Sequence, residues 1–85
     1  MPQAVSPVIV VDARGLICPM PVLKAQKALR QVSSGEVVRV MATDKSALTD
    51  MPAFCETAGH TLLQTEITDA AWVFDIQKNS ITPCI

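Results

Sequence analysis

Val8-Ile9-Val10-Val11-Asp12-Ala13-Arg14-Gly15-Leu16-Ile17-Cys18-Pro19-Met20-Pro21 runs from a β-branched segment into two closely spaced prolines. The run Val8 to Val11 suits a buried strand. Proline is tolerated in the first turn of a helix, where its missing N–H would have had no partner. Pro19 and Pro21 therefore read as first-turn residues, and Cys18 falls at or next to the N-cap of a helix that follows a strand. A sulfur anion there feels the positive end of the helix dipole, an environment that depresses thiol pKa values. The two prolines leave mainly the N–H groups of Met20 and Val22 as donors, so the expected depression is modest.

Downstream of this junction, Val22, Ala25, Leu29 and Val32 recur at helical spacing, with Lys24, Lys27 and Gln31 on the opposite side. Ser33-Ser34-Gly35 ends that pattern, with Gly35 as a left-handed cap. Glu36 to Ala42 reads as a second strand, and Thr43-Asp44-Lys45-Ser46 offers turn and capping side chains. A second helix is expected to begin between Ser46 and Asp50, with Pro52 near its start. Phe54, Cys55 and Ala58 are expected on one face, and Gly59 is its stop. Leu62 to Ile67 and Trp72 to Lys78 form a hairpin around the turn Thr68-Asp69-Ala70-Ala71, with Trp72, Phe74 and Ile76 on one side. Upstream, Asp12-Ala13-Arg14-Gly15 closes the first strand, and Gly15 supplies the backbone freedom for the turn toward Cys18.

The order β-α-β-α-β-β predicts an α+β fold, a two-layer α/β sandwich in which two helices cover one face of a mixed four-stranded sheet. A right-handed first βαβ unit puts Cys18 at an edge of the molecule. The domain spans 8–78, and 1–7 and 79–85 are expected to be flexible tails.

Composition limits the chemistry. A chain of 85 residues makes one domain with little room for a deep cavity. Hydrophobic content of 49% with few aromatic residues fits a compact α/β domain and excludes a disordered chain. No apolar run is long enough to span a bilayer, and the first residues do not resemble a signal peptide, so a cytoplasmic location is expected. A net charge of −1 argues against direct nucleic-acid binding. Charge is nonetheless uneven, because the segment from Asp12 to Arg30 carries Arg14, Lys24, Lys27 and Arg30 against one acid. Three cysteines cannot all pair within one chain, and a disulfide framework is not expected. No Cys/His spacing resembles a metal site and no phosphate-binding glycine loop is present, so neither metal nor cofactor is expected.

The run Asp12 to Pro21, then Lys24, then Asp50-Met51-Pro52-Ala53-Phe54-Cys55 and Gly59-His60, resembles the TusA (SirA-like) sulfur-carrier family over roughly residues 9 to 78. The resemblance implies a two-layer α/β sandwich. It implies further that the cysteine of the Cys-Pro-x-Pro box, here Cys18, accepts sulfane sulfur as a persulfide and passes it to an acceptor protein. Routes to thiolated tRNA bases, to molybdenum cofactor and to sulfur oxidation are those the family serves. The implied partners are a sulfur donor, of cysteine desulfurase or rhodanese-like type, and a sulfur acceptor. The Pro-containing N-terminal extension and Cys84 depart from a minimal family domain.

The residues themselves are compatible with this chemistry. A carrier needs a nucleophilic, exposed thiol and no neighbouring cysteine to resolve the persulfide, and position 21, where a Cys-x-x-Cys motif would place a second thiol, is Pro21. Asp12 is expected to fix the turn before Cys18, whereas Arg14 is open between that role and stabilising a sulfur anion. Lys24 and Lys27 read either as a solvated face or as a docking surface for partners. Cys55 is expected to be a packing residue, Cys84 an inert tail thiol, and His60 a capping or packing residue. Two other classes remain: a non-catalytic regulatory or interaction module, and a thiol redox protein using Cys18 and Cys84. A monomer acting as a sulfurtransferase-type carrier is the expectation.

Overall fold

Alternation along the strands and helical spacing between them produce six elements within residues 7–79, the part of the chain described by this computed structural model. They are β1 (Ile9–Ala13), α1 (Met20–Leu29), β2 (Val37–Ala42), α2 (Ala47–Ala58), β3 (Thr61–Ile67) and β4 (Trp72–Gln77). The sheet order is β1-β2-β4-β3. β1 and β2 are parallel, in register Val11 to Val40, and β4 runs antiparallel between β2 and β3, with Val40 opposite Phe74. The fold is thus α+β, a mixed four-stranded sheet carrying two helices.

One face of the sheet supplies Ala13, Val38, Val40, Ala42, Phe74 and Ile76 to the core. Ala25, Ala28 and Leu29 of α1 and Ala47, Met51 and Cys55 of α2 close over them. Burying each large apolar side chain of this set is worth about 1.5–3 kcal/mol relative to leaving it in water. The other face carries the alternate residues. There Val10 is exposed, while Asp75 is wholly buried, accepting hydrogen bonds from Arg39 Nε and Nη2 at 2.8 and 3.0 Å and from Gln64 Nε2 at 3.1 Å. The fork of Arg39 and the Gln64 amide compensate the desolvated carboxylate.

Several local expectations are corrected. Strand β1 continues through Asp12 and Ala13, because both pair with β2, opposite Met41 and Ala42. Gly35 does not cap α1. The helix ends at Leu29, and Gly35, at φ +88°, turns the chain into β2 and donates its N–H to the Lys78 carbonyl at 2.7 Å. Pro52 lies inside α2, past its first turn, where its ring stands at the site of an N–H that would otherwise bond the Leu48 carbonyl. The inward face of α2 is Ala47, Met51 and Cys55; Ala58 is exposed and Phe54 half-buried. Gly59, at φ +83°, ends α2 in the left-handed conformation expected of it.

Asn79 is bonded to the turn ahead of β3, its side-chain oxygen accepting from Thr61 Oγ1 at 3.1 Å and its side-chain amide donating to the Gly59 carbonyl. Apart from Pro7 and Asn79, the two expected tails, Cys84 included, lie outside the described residues.

Candidate functional site

Parallel strands β1 and β2 end side by side, so the loops that follow them, and the starts of α1 and α2, are neighbours. Two side chains bind these loops together. Thr43 Oγ1 accepts the Gly15 N–H at 2.9 Å, and Asp44 Oδ2 accepts the Cys18 N–H at 2.6 Å. Gly15 adopts φ +83°, a backbone angle costly for any residue with a Cβ, and so makes the turn that leads out of β1. The loop then enters α1 with Pro19 at the N-cap and Pro21 buried in the first turn, while the Cys18 side chain is exposed.

The environment of the sulfur reverses the expectation drawn from the helix dipole. The Met20 N–H donates to the Ile17 carbonyl at 2.8 Å, which removes one of the two donors expected to serve a thiolate. Cys18 Sγ instead donates to Asp50 Oδ2, in the first turn of α2, at 2.9 Å. The hydrogen bond to the Asp50 carboxylate raises the thiol pKa above its ordinary value, with partial desolvation and the negative charges of Asp50 and Asp44 acting in the same direction. The contact favours the protonated thiol over the thiolate.

Arg14 does not relieve this. Its Nε and Nη2 are held by Asp12 Oδ1 and Oδ2 at 2.8 and 2.9 Å, and its N–H also donates to Asp12 Oδ1. The same pairing holds the Asp12 carboxyl down at about 2. The pair clamps the exit of β1 and leaves the guanidinium engaged by Asp12. Lys24 and Lys27 are exposed on α1.

The thiol-bearing segment also exposes apolar side chains. Ile17 is 72% exposed, and Met20 and Leu23 also face solvent. Beside them, a shallow groove of about 350 Å³ between the two helices is lined by Pro19, Val22, Asp50, Ala53, Phe54 and Thr57. Cys55 is buried, and burial pushes its thiol up to about 11. His60 packs its ring against Phe54, with centroids 6.0 Å apart, and its Nδ1 accepts from the Asn79 N–H. Among the described residues no cluster of His, Cys, Asp or Glu is arranged to hold a metal ion.

Sequence reasoning thus located the thiol but missed Asp44 and Asp50 as its neighbours. The signal was topological: once two adjacent parallel strands each feed a helix, carboxylates at the start of the second helix belong next to residues at the start of the first. Chemically, the arrangement is an accessible sulfur nucleophile with a carboxylate in contact to take its proton.

The family described as Sulfurtransferase TusA matches residues 9–78. A Neisseria meningitidis serogroup A protein with the name Putative sulfur carrier protein NMA0882 is 44% identical over 66 residues, covering 78% of this chain and 89% of its own. A Bacillus subtilis protein, Putative sulfur carrier protein YrkI, is 42% identical over 69 residues, covering 81% of this chain and 92% of its own. The crystal structure of a SirA-like protein from Desulfitobacterium hafniense superposes with a TM-score of 0.76 at 27% identity, covering 86% of this chain and all of that one.

Proposed function

The chain belongs to the TusA sulfurtransferase family, and on that premise we propose that Cys18 is the atom on which this sulfur carrier holds its cargo. The observation that carries the reading is the placement of Cys18: exposed in the β1–α1 loop, in contact with a carboxylate, on a segment whose Ile17, Met20 and Leu23 are also exposed. The thiol attacks the outer sulfur of a donor persulfide, becomes Cys18–S–SH, and later yields that outer sulfur to a nucleophile of an acceptor protein. The donor is of cysteine desulfurase or rhodanese-like type. The acceptor belongs to tRNA thiolation, molybdenum cofactor or sulfur oxidation.

Donor and acceptor dock in turn on this same exposed segment, because each must bring its own sulfur to Cys18. Lys24 and Lys27, on the thiol-bearing helix, add electrostatic selectivity for partners with acidic rims. Asp12, Arg14 and Gly15 fix the turn, and Pro19 and Pro21 fix the entry into α1. The cytoplasm is the proposed location, since a reducing compartment keeps an exposed thiol free.

Intact-mass measurement after incubation with a persulfide-loaded cysteine desulfurase tests the reading. Wild type and Cys55→Ser gain one sulfur and Cys18→Ser gains none; gain by Cys18→Ser overturns the assignment. A disulfide on mild oxidation, lost in Cys18→Ser, would favour the redox reading instead.

A further inference from the structure

The hydrogen bond between Cys18 Sγ and Asp50 Oδ2 is a contact to the reacting atom that the sequence did not foretell. Both charges that act on Sγ are acidic: Asp50 from α2, and Asp44 from the loop after β2. On the loop after β1, Arg14 is bound to Asp12, and neither Lys24 nor Lys27 of α1 is hydrogen-bonded to the sulfur. The two carboxylates also differ in what they touch. Asp44 bonds the main-chain N–H of Cys18 and therefore positions the loop, whereas Asp50 alone contacts the reacting atom.

We propose that Asp50 is the proton acceptor and donor of the sulfur-transfer cycle, taking the thiol proton when Cys18 is loaded and returning one when the sulfur is delivered. The proposal rests on Cys18 being the carrier.

In loading, the Sγ lone pair attacks the outer sulfur of a donor R–S–SH while the thiol proton passes to Asp50 Oδ2. The Sγ–S bond forms, the donor S–S bond breaks, and its electron pair leaves on the inner donor sulfur as R–S⁻. In delivery, an acceptor thiolate R′–S⁻ attacks the outer sulfur of Cys18–S–SH. The Sγ–S bond breaks, its electron pair stays on Sγ, and Asp50 gives that sulfur a proton, leaving R′–S–SH and the resting thiol. Protons and charge balance over the two steps, and no oxidant or reductant enters.

The delivery half is where the carboxyl matters most. A thiol of raised pKa is a poor leaving group, because departure of a sulfur from an S–S bond slows as its thiol becomes more basic. An adjacent acid that protonates the sulfur as it departs removes that handicap, and general acid catalysis of this kind is worth about 10²–10⁴-fold in favourable sites. The exposure of Cys18 lets water substitute in part, so the lower end of that range, or somewhat below it, applies here.

The test uses the full chain as wild type, Asp50→Asn, Asp50→Glu and Asp44→Asn. Glutathione persulfide serves as donor and glutathione as acceptor, and the rate of Cys18 alkylation by iodoacetamide is followed against pH. Wild type should show its alkylation midpoint above that of free cysteine. Asp50→Asn should move the midpoint down and slow delivery to glutathione at neutral pH at least tenfold, and Asp50→Glu should restore much of both. Asp44→Asn should lower the midpoint by less than Asp50→Asn does, because the Asp44 charge acts on Sγ through space without a hydrogen bond to it.

Identical alkylation profiles and delivery rates for wild type and Asp50→Asn overturn the proton role while leaving the carrier reading in place. Wild type that never loads overturns the carrier reading itself. Should the Asp50 variants fail to fold, a wild-type midpoint at or below that of free cysteine overturns the proposal without them.

Discussion

Asp44 fastens the Cys18 loop to the start of α2 through one side chain, so replacing it with alanine should cost both stability and order at the thiol. Oδ2 accepts the Cys18 N–H at 2.6 Å, and Oδ1 accepts the Ser46 N–H at 3.3 Å. A hydrogen bond to a charged group contributes about 1.5–3 kcal/mol. Asp44 is half-buried, which places the short bond at the low end of that span, and the long bond adds a few tenths. The main-chain bond from the Ala47 N–H to the Asp44 carbonyl, at 2.9 Å, survives the substitution. Asp44→Ala should therefore destabilise the domain by about 2 kcal/mol, a fall in Tm of about 10 °C for a domain of this size. Asp44→Asn keeps an acceptor without the charge and should lose roughly half as much. Urea unfolding monitored by circular dichroism measures both, with an unchanged m-value showing that the folded state is otherwise intact. A loss below about 0.3 kcal/mol for Asp44→Ala would refute the idea that this carboxylate holds the two loops together.

Arg39→Ala should leave the buried Asp75 with Gln64 alone and cost about 2–4 kcal/mol, somewhat less than a fully buried pair, because the Arg39 side chain is 34% exposed and water can follow its removal. Urea unfolding checks it, and a cost under about 1 kcal/mol would show the pair to be dispensable. The two described thiols should separate by pH. Iodoacetamide at mildly alkaline pH should modify Cys18 and spare Cys55, and the Cys18 rate should still be climbing where an ordinary thiol, with a pKa of about 8.5, has begun to level off. The sign follows from the protonated form being the one stabilised, so a plateau at neutral pH would contradict the Asp50 contact. Charge reversal at Lys24 and Lys27 should slow sulfur uptake from a protein donor at low salt, with the difference shrinking as salt rises. Unchanged uptake at low salt would remove these residues from the docking surface.

Element order was legible from the sequence because the helices are amphipathic, the strands are rich in β-branched residues, and the junctions carry their own punctuation. Gly59 stops α2 in the left-handed conformation anticipated for it, and Phe74 and Ile76 enter the core as the strand alternation implies. Boundaries failed where tertiary pairing overrode local composition. Asp12 and Ala13 read as turn residues, yet the parallel ladder with Met41 and Ala42 extends the strand through them. Pro52 was expected nearer the helix start, and the helix tolerates it because packing of Met51 and Cys55 on either side of it compensates the lost main-chain bond.

At the site, the position of Cys18 at the helix start follows from local signals, the two prolines and the glycine turn, and its place at an edge from the right-handed βαβ unit. The electrostatics do not. Asp44 and Asp50 lie 26 and 32 positions along the chain from Cys18, and only the side-by-side packing of two βα junctions brings them to its N–H and its sulfur. The dipole of α1 is offset at the sulfur by the Met20 N–H turning to the Ile17 carbonyl and by the Asp50 carboxylate arriving from the next helix.

The most direct test of Cys18 as the carrier follows isotopically labelled sulfane sulfur from a persulfide-loaded donor onto proteolytic peptides of this chain. The label should reside on the peptide containing Cys18, be absent from the peptide containing Cys55, and leave when an acceptor thiol is added. Label on any other cysteine, or label on Cys18 that no acceptor removes, would contradict the account.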